Sequence, residues 1–280
     1  MIKIVIFASG NDNIIKKKDM KIAIIGSGNI GSALVTGLLR EGSMPPGDIS
    51  LTDISHDVLE PFAAKGIRTQ QDNVAAVKDA EVIVLCVKPY QVNDVIKELL
   101  PALTDDIVLV SFAAGVSLDQ MAQITGKKPL FRVLPNTAMA VCQSMTCISA
   151  SADVSTAQCN TVLHLFSRVG KARIIDESLM NAATVIASCG TAFALRYLRA
   201  AMTAGVEIGF RPAIAKEIIA QTILGAAVLV TESGNHPEAE IDKVTTPKGI
   251  TIRGLNEMEH AGFSSAVMQG ILATYKVLNE

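Results

Sequence analysis

Paired cysteines are missing from this chain. Its five, Cys86, Cys142, Cys147, Cys159 and Cys189, are an odd number with no CxxC among them, and no secretory signal is read ahead of them. That excludes a disulfide scaffold and describes reduced thiols, used for packing, in a cytoplasmic protein. The four histidines (His56, His164, His236, His260) are far apart, with none in an HxxxH pair, so no metal site is expected. Excess charge is missing too: the net charge is −2 with basic residues scattered along the chain, which gives nucleic acid or an acidic membrane surface nothing to grip. No unbroken apolar run reaches the ~18 residues of a membrane span, and a small neutral or anionic ligand in solution is the better expectation. There is no Tyr-x-x-x-Lys pair of the kind short-chain dehydrogenases use. What the chain does have is apolar residues, 49% of its 280, enough to fill more than one core.

Residues 1–19 read as a leader or an upstream-start extension, because the chain begins afresh at Met20 with "KIAIIGSGNIG". "KIAIIG" is a short apolar run ending in glycine, and "NIGSALVTGLLREG" spaces its apolar residues for a helix until Gly42 stops it, so the passage predicts strand, tight turn, helix. The turn, Gly26-Ser27-Gly28-Asn29-Ile30-Gly31, has GxGxxG spacing. Its first glycine permits the sharp turn, the second lets a pyrophosphate approach bare backbone, and the third lets helix and strand pack closely, with helix N-terminal amides meeting the phosphate charge. Alone, the motif is equally a tight turn with no ligand. The run "DISLTDIS" strengthens it, ending at Asp53, 22 residues after Gly31, near the ~20 at which an acid meets the adenine ribose hydroxyls. Such an acid favours NADH over NADPH, although Ser55, His56 and Arg68 nearby could weaken the preference.

Further strands are expected in "AEVIVLCVKP" (80–89), "DIVLVSFAAGV" (106–116), "PLFRVLPNTAMAV", "MTCISA" and, last, "GKARIID" (170–176). Ligands in such sheets lie beyond the carboxyl ends of the strands. Val87, Lys88 and Pro89, and residues 111–115 including Ala113 and Gly115, would therefore rim the cleft; Lys88 is equally an ordinary solvated lysine. The expected fold is α/β over 20–176, a Rossmann-like dinucleotide-binding domain, followed by an all-α domain over 177–280. The helices of that second part are apolar nearly all round and need cover on most faces, for which a second copy of the chain is the simplest source. Near the end, "DKVTTPKGIT" (242–251) is a hydroxyl-rich turn broken by Pro247 and Gly249, ahead of a helix with Ile252, Leu255 and Met258 in register and Gly262 to end it. Free amides and hydroxyls there either grip a carboxylate or, with Thr246 or Thr251, merely cap the helix.

Taken together, "IGSGNIG", "CVKP", "SFAAGV", "RVLPNTAM", "GVEIGF", "AQTILGAA" and "KVTTPKGITIRGLNEMEHAGFSSAVMQGI" resemble the pyrroline-5-carboxylate reductases, in collinear order from Met20 to the C-terminus. The resemblance implies reduction of the C=N bond of 1-pyrroline-5-carboxylate to L-proline with NADPH or NADH, and a homo-oligomer that is a dimer or a dimer-based decamer. It implies that Gly26, Ser27, Gly28, Asn29, Ile30, Gly31, Asp53, Asn73, Val87, Lys88, Pro89, Ala113 and Gly115 bind cofactor. Thr246, Gly249, Ile250 and Thr251 would bind the substrate carboxylate and ring, with the Thr251 hydroxyl near the ring nitrogen. Two departures stand out: Ala187-Ser188-Cys189-Gly190-Thr191-Ala192-Phe193 where the family has Ser-Gly-Ser-Gly-Pro-Ala-Tyr, so that the proline and tyrosine are lost, and Lys248 where it has glycine. They leave open another cyclic imine. A hydroxyacid dehydrogenase sharing the N-terminal domain would need a lysine just after the sheet, and 177–200 has none. A non-catalytic dinucleotide sensor would have no use for a carboxylate-gripping turn.

Overall fold

The computed structural model describes residues 20–40, 42 and 44–279; the expected leader over 1–19 lies outside them. In chain order the first part contains β1 (Ile22–Ile25), α1 (Asn29–Arg40), β2 (Ile49–Thr52), α2 (His56–Ala63), β3 (Arg68–Gln70), α3 (Asn73–Val77), β4 (Val82–Leu85), α4 (Val92–Leu99), β5 (Val108–Ser111), α5 (Leu118–Thr125), β6 (Leu130–Leu134), β7 (Ser144–Ala150), α6 (Thr156–Ser167) and β8 (Gly170–Ile174). The strands form one sheet in the order β3-β2-β1-β4-β5-β6-β7-β8. All neighbours are parallel except β6 and β7, so the fold is the expected doubly wound α/β type.

Side-chain alternation decides the packing. In β1, Ile22 and Ile24 enter one core while Ala23 and Ile25 enter the other; β4 does the same with Val82 and Val84 against Ile83 and Leu85. One face is covered by Leu34 and Leu38 of α1 with Val162, Leu165 and Phe166 of α6. Val92, Ile96 and Leu99 of α4, with Leu118 and Met121 of α5, cover the other. A strand buried on both faces has no polar side to show, hence the continuous apolar runs.

Two segments depart from the sequence expectation. β3 was not expected: Arg68-Thr69-Gln70 is a polar edge strand held by its pairing with Ser50, Leu51 and Thr52. The strand expected across "PLFRVLPNTAMAV" stops at Leu134, and Thr137–Val141 is a 3-10 turn. That turn lies so close to α1 that a Cβ on Gly37 would stand 2.2 Å from the Met139 carbonyl oxygen.

After β8 every regular element is helical: α7 (Met180–Ala183), a π-helical stretch (Thr184–Cys189), α8 (Gly190–Glu207), α9 (Pro212–Ser233), α10 (Pro237–Lys243), α11 (Ile250–His260) and α12 (Phe263–Val277). Ala215 is the one buried residue that α8, α9, α11 and α12 contain. Large apolar side chains stand out from them, Leu195 at 58% exposure and Leu272 at 65% among them. Two continuous helical runs, Glu177–Glu207 and Pro212–Ser233, are long and apolar enough to cross a membrane by length and composition, although polar residues interrupt both. Polar links fasten these helices to the sheet. The buried Arg132 of β6 donates from Nη2 to Asn181 Oδ1 at 2.9 Å, and Asn181 Nδ2 donates to the Leu278 carbonyl at 3.3 Å.

Candidate functional site

The parallel register sets the site. Ile25 pairs with both Thr52 and Leu85, and Leu85 with Ser111, so the carboxyl ends of β1, β2, β4 and β5 are level. The ladder continues one residue further: Gly26 N–H donates to Thr52 O, Cys86 N–H to Ile25 O and Phe112 N–H to Leu85 O, at 2.8–3.0 Å. Gly26, Asp53, Val87 and Ala113 are thereby brought to one edge of the sheet. The strand order reverses between β1 and β4, which makes this edge the topological switch point where such sheets bind ligands.

The three motif glycines serve three different ends. Gly26 has φ +102°, and a Cβ on it would stand 2.8 Å from the Cys86 carbonyl oxygen. Gly31 lets α1 start against the turn itself, since a Cβ there would be 2.1 Å from the Gly26 carbonyl oxygen. Gly28 is different: a Cβ on it would meet nothing within 4 Å. Internal packing does not require a glycine there, and the bare backbone leaves room for an outside group to come close. The amides of Asn29 and Ile30 begin α1 beside this gap, where the helix dipole favours an anion.

Asp53 is tied to the same turn. Its Oδ2 accepts the Ser27 N–H at 2.8 Å and its Oδ1 the Ser55 N–H at 3.0 Å. Asn73, at the start of α3, accepts the Thr52 hydroxyl at 2.7 Å and donates to Glu98 at 3.1 Å, which fixes its amide at the end of β2. Lys88 is exposed after β4 and enters no salt bridge among the described residues. Ala113 is buried, its N–H donating to Ser111 Oγ at 3.2 Å, and Gly115 has φ +77°. Two side chains passed over in the sequence stand out here: Ile54, 90% exposed beside Asp53, and Tyr90, 79% exposed beside Pro89. The signal was available, a lone large apolar residue just past a buried strand. Cys86, beneath the turn, has its thiol pKa pushed far up by burial, so it packs rather than reacts.

The turn near the C-terminus has its own logic. Gly249 N–H donates to Thr246 O at 2.8 Å, with Pro247 second and Lys248 third at φ +62°, the arrangement of a type II turn. A Cβ on Gly249 would stand 2.5 Å from Thr246 Oγ1, so only glycine fits. Gly249 is the N-cap of α11 and provides no side-chain cap. Capping by Thr246 or Thr251 is therefore not what the turn does: Ile250 and Thr251 are the first two helical residues, and their amides lack a side-chain acceptor. Gly262, at φ +82°, follows the end of α11 as expected. Thr246, Lys248, Ile250 and Thr251 are all exposed, and no hydrogen bond ties the turn to the glycine-loop cleft among the described residues. The departure at Ala187 to Thr191 runs through the π-helical stretch, where Asn136 Nδ2 donates to the Ala187 carbonyl at 2.8 Å. A π-turn frees carbonyls from regular pairing, and this one is taken by the residue that opens the 3-10 turn after β6.

Residues 177–280 match the family model for pyrroline-5-carboxylate reductase dimerisation, and residues 21–115 that for an NADP oxidoreductase, coenzyme F420-dependent. Pyrroline-5-carboxylate reductase 2 of Dictyostelium discoideum is 35% identical over 272 residues, covering 91% of this chain and 91% of that one. The chain belongs to the pyrroline-5-carboxylate reductase family. Pyrroline-5-carboxylate reductase 1 of the same organism is 37% identical over 271 residues, 92% of this chain, and here the chain spans only 49% of the relative's length. The solved pyrroline-5-carboxylate reductase of Coxiella burnetii superposes with a TM-score of 0.85 at 27% identity, covering 94% of this chain and 98% of that one. For a member of the pyrroline-5-carboxylate reductase family, the uncovered apolar faces of α8, α9 and α12 have an explanation. They lie wholly within the matched dimerisation region, so the chain is built to oligomerise through its helical half.

Proposed function

We propose that the chain catalyses NAD(P)H-dependent reduction of 1-pyrroline-5-carboxylate to L-proline, the last step of proline synthesis. The observation that carries this reading is the glycine cradle, with Gly28 facing open space and free helix amides beside it. It suits a pyrophosphate, and the rest of the cofactor would run along Asp53, Asn73, Val87, Lys88, Pro89, Ala113 and Gly115. When bound, the nicotinamide supplies the hydride. The protein's part is position and charge. The unpartnered amides of Ile250 and Thr251, at the positive end of α11, suit the substrate carboxylate. Thr246 and Gly249 shape the turn. The Thr251 hydroxyl orients the ring nitrogen and relays the proton that makes the imine carbon electrophilic; no strong base is needed.

In this reading residues 20–176 form the dinucleotide domain and 177–280 the dimerisation and substrate domain. The working particle is a dimer or a dimer-based decamer in the cytoplasm, without nucleic acid or membrane, because a second copy covers the apolar helices. Lys248, charged and exposed where the turn needs a left-handed residue, favours a second reading in which a related cyclic imine is the substrate. The test is loss of 340 nm absorbance with pyrroline-5-carboxylate and NADPH or NADH, with particle mass from light scattering. Rapid oxidation is expected. No oxidation with this substrate but turnover of another cyclic imino acid selects the second reading.

A further inference from the structure

We infer that Asp53 makes this chain an NADH-selective enzyme, a conclusion that rests on the dinucleotide reading of the cleft. Sequence spacing left the matter open, because Ser55, His56 and Arg68 were possible counterweights. The structure sets back the backbone of the one permanent cation of the three. Arg68 pairs with Ser50, three residues below Asp53 along parallel strands, which is about 10 Å from the level of the cleft. Of the other cations, Lys88 rims the cleft but follows β4, two strands away from β2 and Asp53. Arg40 closes α1 at the end opposite the glycine turn, and Lys65 lies over the Phe62 ring at 5.5 Å. Ser55 and His56 carry no permanent charge.

The carboxylate itself is held fast. With Oδ2 on the Ser27 amide and Oδ1 on the Ser55 amide, it cannot swing aside to admit an anion without leaving a glycine-turn N–H unpaired. Each carboxylate oxygen keeps a second lone pair, which suits the two hydroxyl donors of an unmodified ribose. A 2′-phosphate brings almost two negative charges and acceptors only. The neutral donors nearby are already engaged, Gln71 Nε2 on the Ile54 carbonyl at 2.6 Å and Asn73 Nδ2 on Glu98. An added phosphate would therefore meet a fixed like charge, with only the uncharged Ser55 hydroxyl and the start of α2 beside it to offset the repulsion.

The test is equilibrium binding to the purified full-length protein, followed by the cofactor's own fluorescence, since the chain has no tryptophan. NADH is expected to bind at least about tenfold more tightly than NADPH, the scale of one like-charge contact near a protein surface. Asp53→Asn removes the charge but keeps an oxygen for the Ser27 amide, and is expected to close most of that gap by tightening NADPH. Competition by 5′-AMP against 2′-AMP on the unaltered protein gives the same answer without any variant. Equal or tighter binding of NADPH by the unaltered protein, or an unchanged ratio in a folded Asp53→Asn, overturns the selectivity and leaves the proposed function intact. Binding of neither dinucleotide overturns both.

Discussion

Replacing Lys248 with glycine is expected to stabilise the protein and leave substrate binding almost untouched. Lys248 holds φ +62° in the turn ahead of α11, a conformation that costs an L-residue about 1–2 kcal/mol. Glycine escapes that cost but carries more freedom in the unfolded chain, about 0.5–1 kcal/mol. The Lys248 side chain is exposed and enters no salt bridge among the described residues, so little packing or pairing is lost. The net expectation is a gain of about 0.5–1 kcal/mol, or roughly 1–4 °C in Tm for a chain of this size. Lys248→Ala separates strain from charge, because it keeps the left-handed residue and removes only the ammonium. Thermal melts of all three proteins and KM for the imino acid are the assays. If Lys248→Gly melts below the parent, or Lys248→Ala stabilises as much, strain is not what distinguishes the position. If both variants raise KM about tenfold, the ammonium rather than the α11 amides holds the carboxylate, worth about 1.4 kcal/mol.

The second and third glycines of the turn are expected to separate folding from binding. Gly31→Ala, whose Cβ would lie 2.1 Å from the Gly26 carbonyl oxygen, is expected to lose about 1–3 kcal/mol of stability as well as cofactor affinity. Gly28→Ala, facing open space, is expected to melt like the parent while weakening dinucleotide binding about tenfold or more, and a normal affinity there would rule out the cradle. Leu224→Glu on the exposed face of α9 is expected to reduce particle mass in light scattering or to precipitate the protein, and an unchanged oligomer would place the contact elsewhere. Glu240, held to a pKa of about 2 by hydrogen bonds from Lys243 and then Asn235, contributes stability that is present above its unfolded value and lost as pH falls through about 2. Melting curves of the parent and Glu240→Gln should therefore converge as pH is lowered from 5 towards that value.

How much of this was legible in the sequence depended on which forces were local. β1, β4 and β5 could be read because burial on both faces leaves a run of apolar letters, and β2 because Ile49 and Leu51 alternate with Ser50 and Thr52. β3 could not, since Arg68, Thr69 and Gln70 are at the sheet edge and owe their conformation to β2. The glycine turn was visible as spacing, but the bond from Ser27 to Asp53 joins residues 26 apart and needs the sheet to bring them together. Around α11 the breakers Pro247, Gly249 and Gly262 marked both ends. Which residue caps it was hidden, because a threonine is normally the better cap and only the clash of a Cβ with Thr246 selects Gly249. The π-helical stretch has no sequence period of its own, so nothing in Thr184–Cys189 announced it.

The almost coreless helical half has a genetic consequence. Since α8, α9, α11 and α12 together bury one residue, most of the core they need is supplied by another polypeptide. A chain with a damaged cofactor cleft but intact helices would still find that partner and tie up a sound subunit in a defective pair. Mutations in the sheet half would then be felt beyond the copy that carries them, whereas mutations that destroy the helical surface would be confined to it.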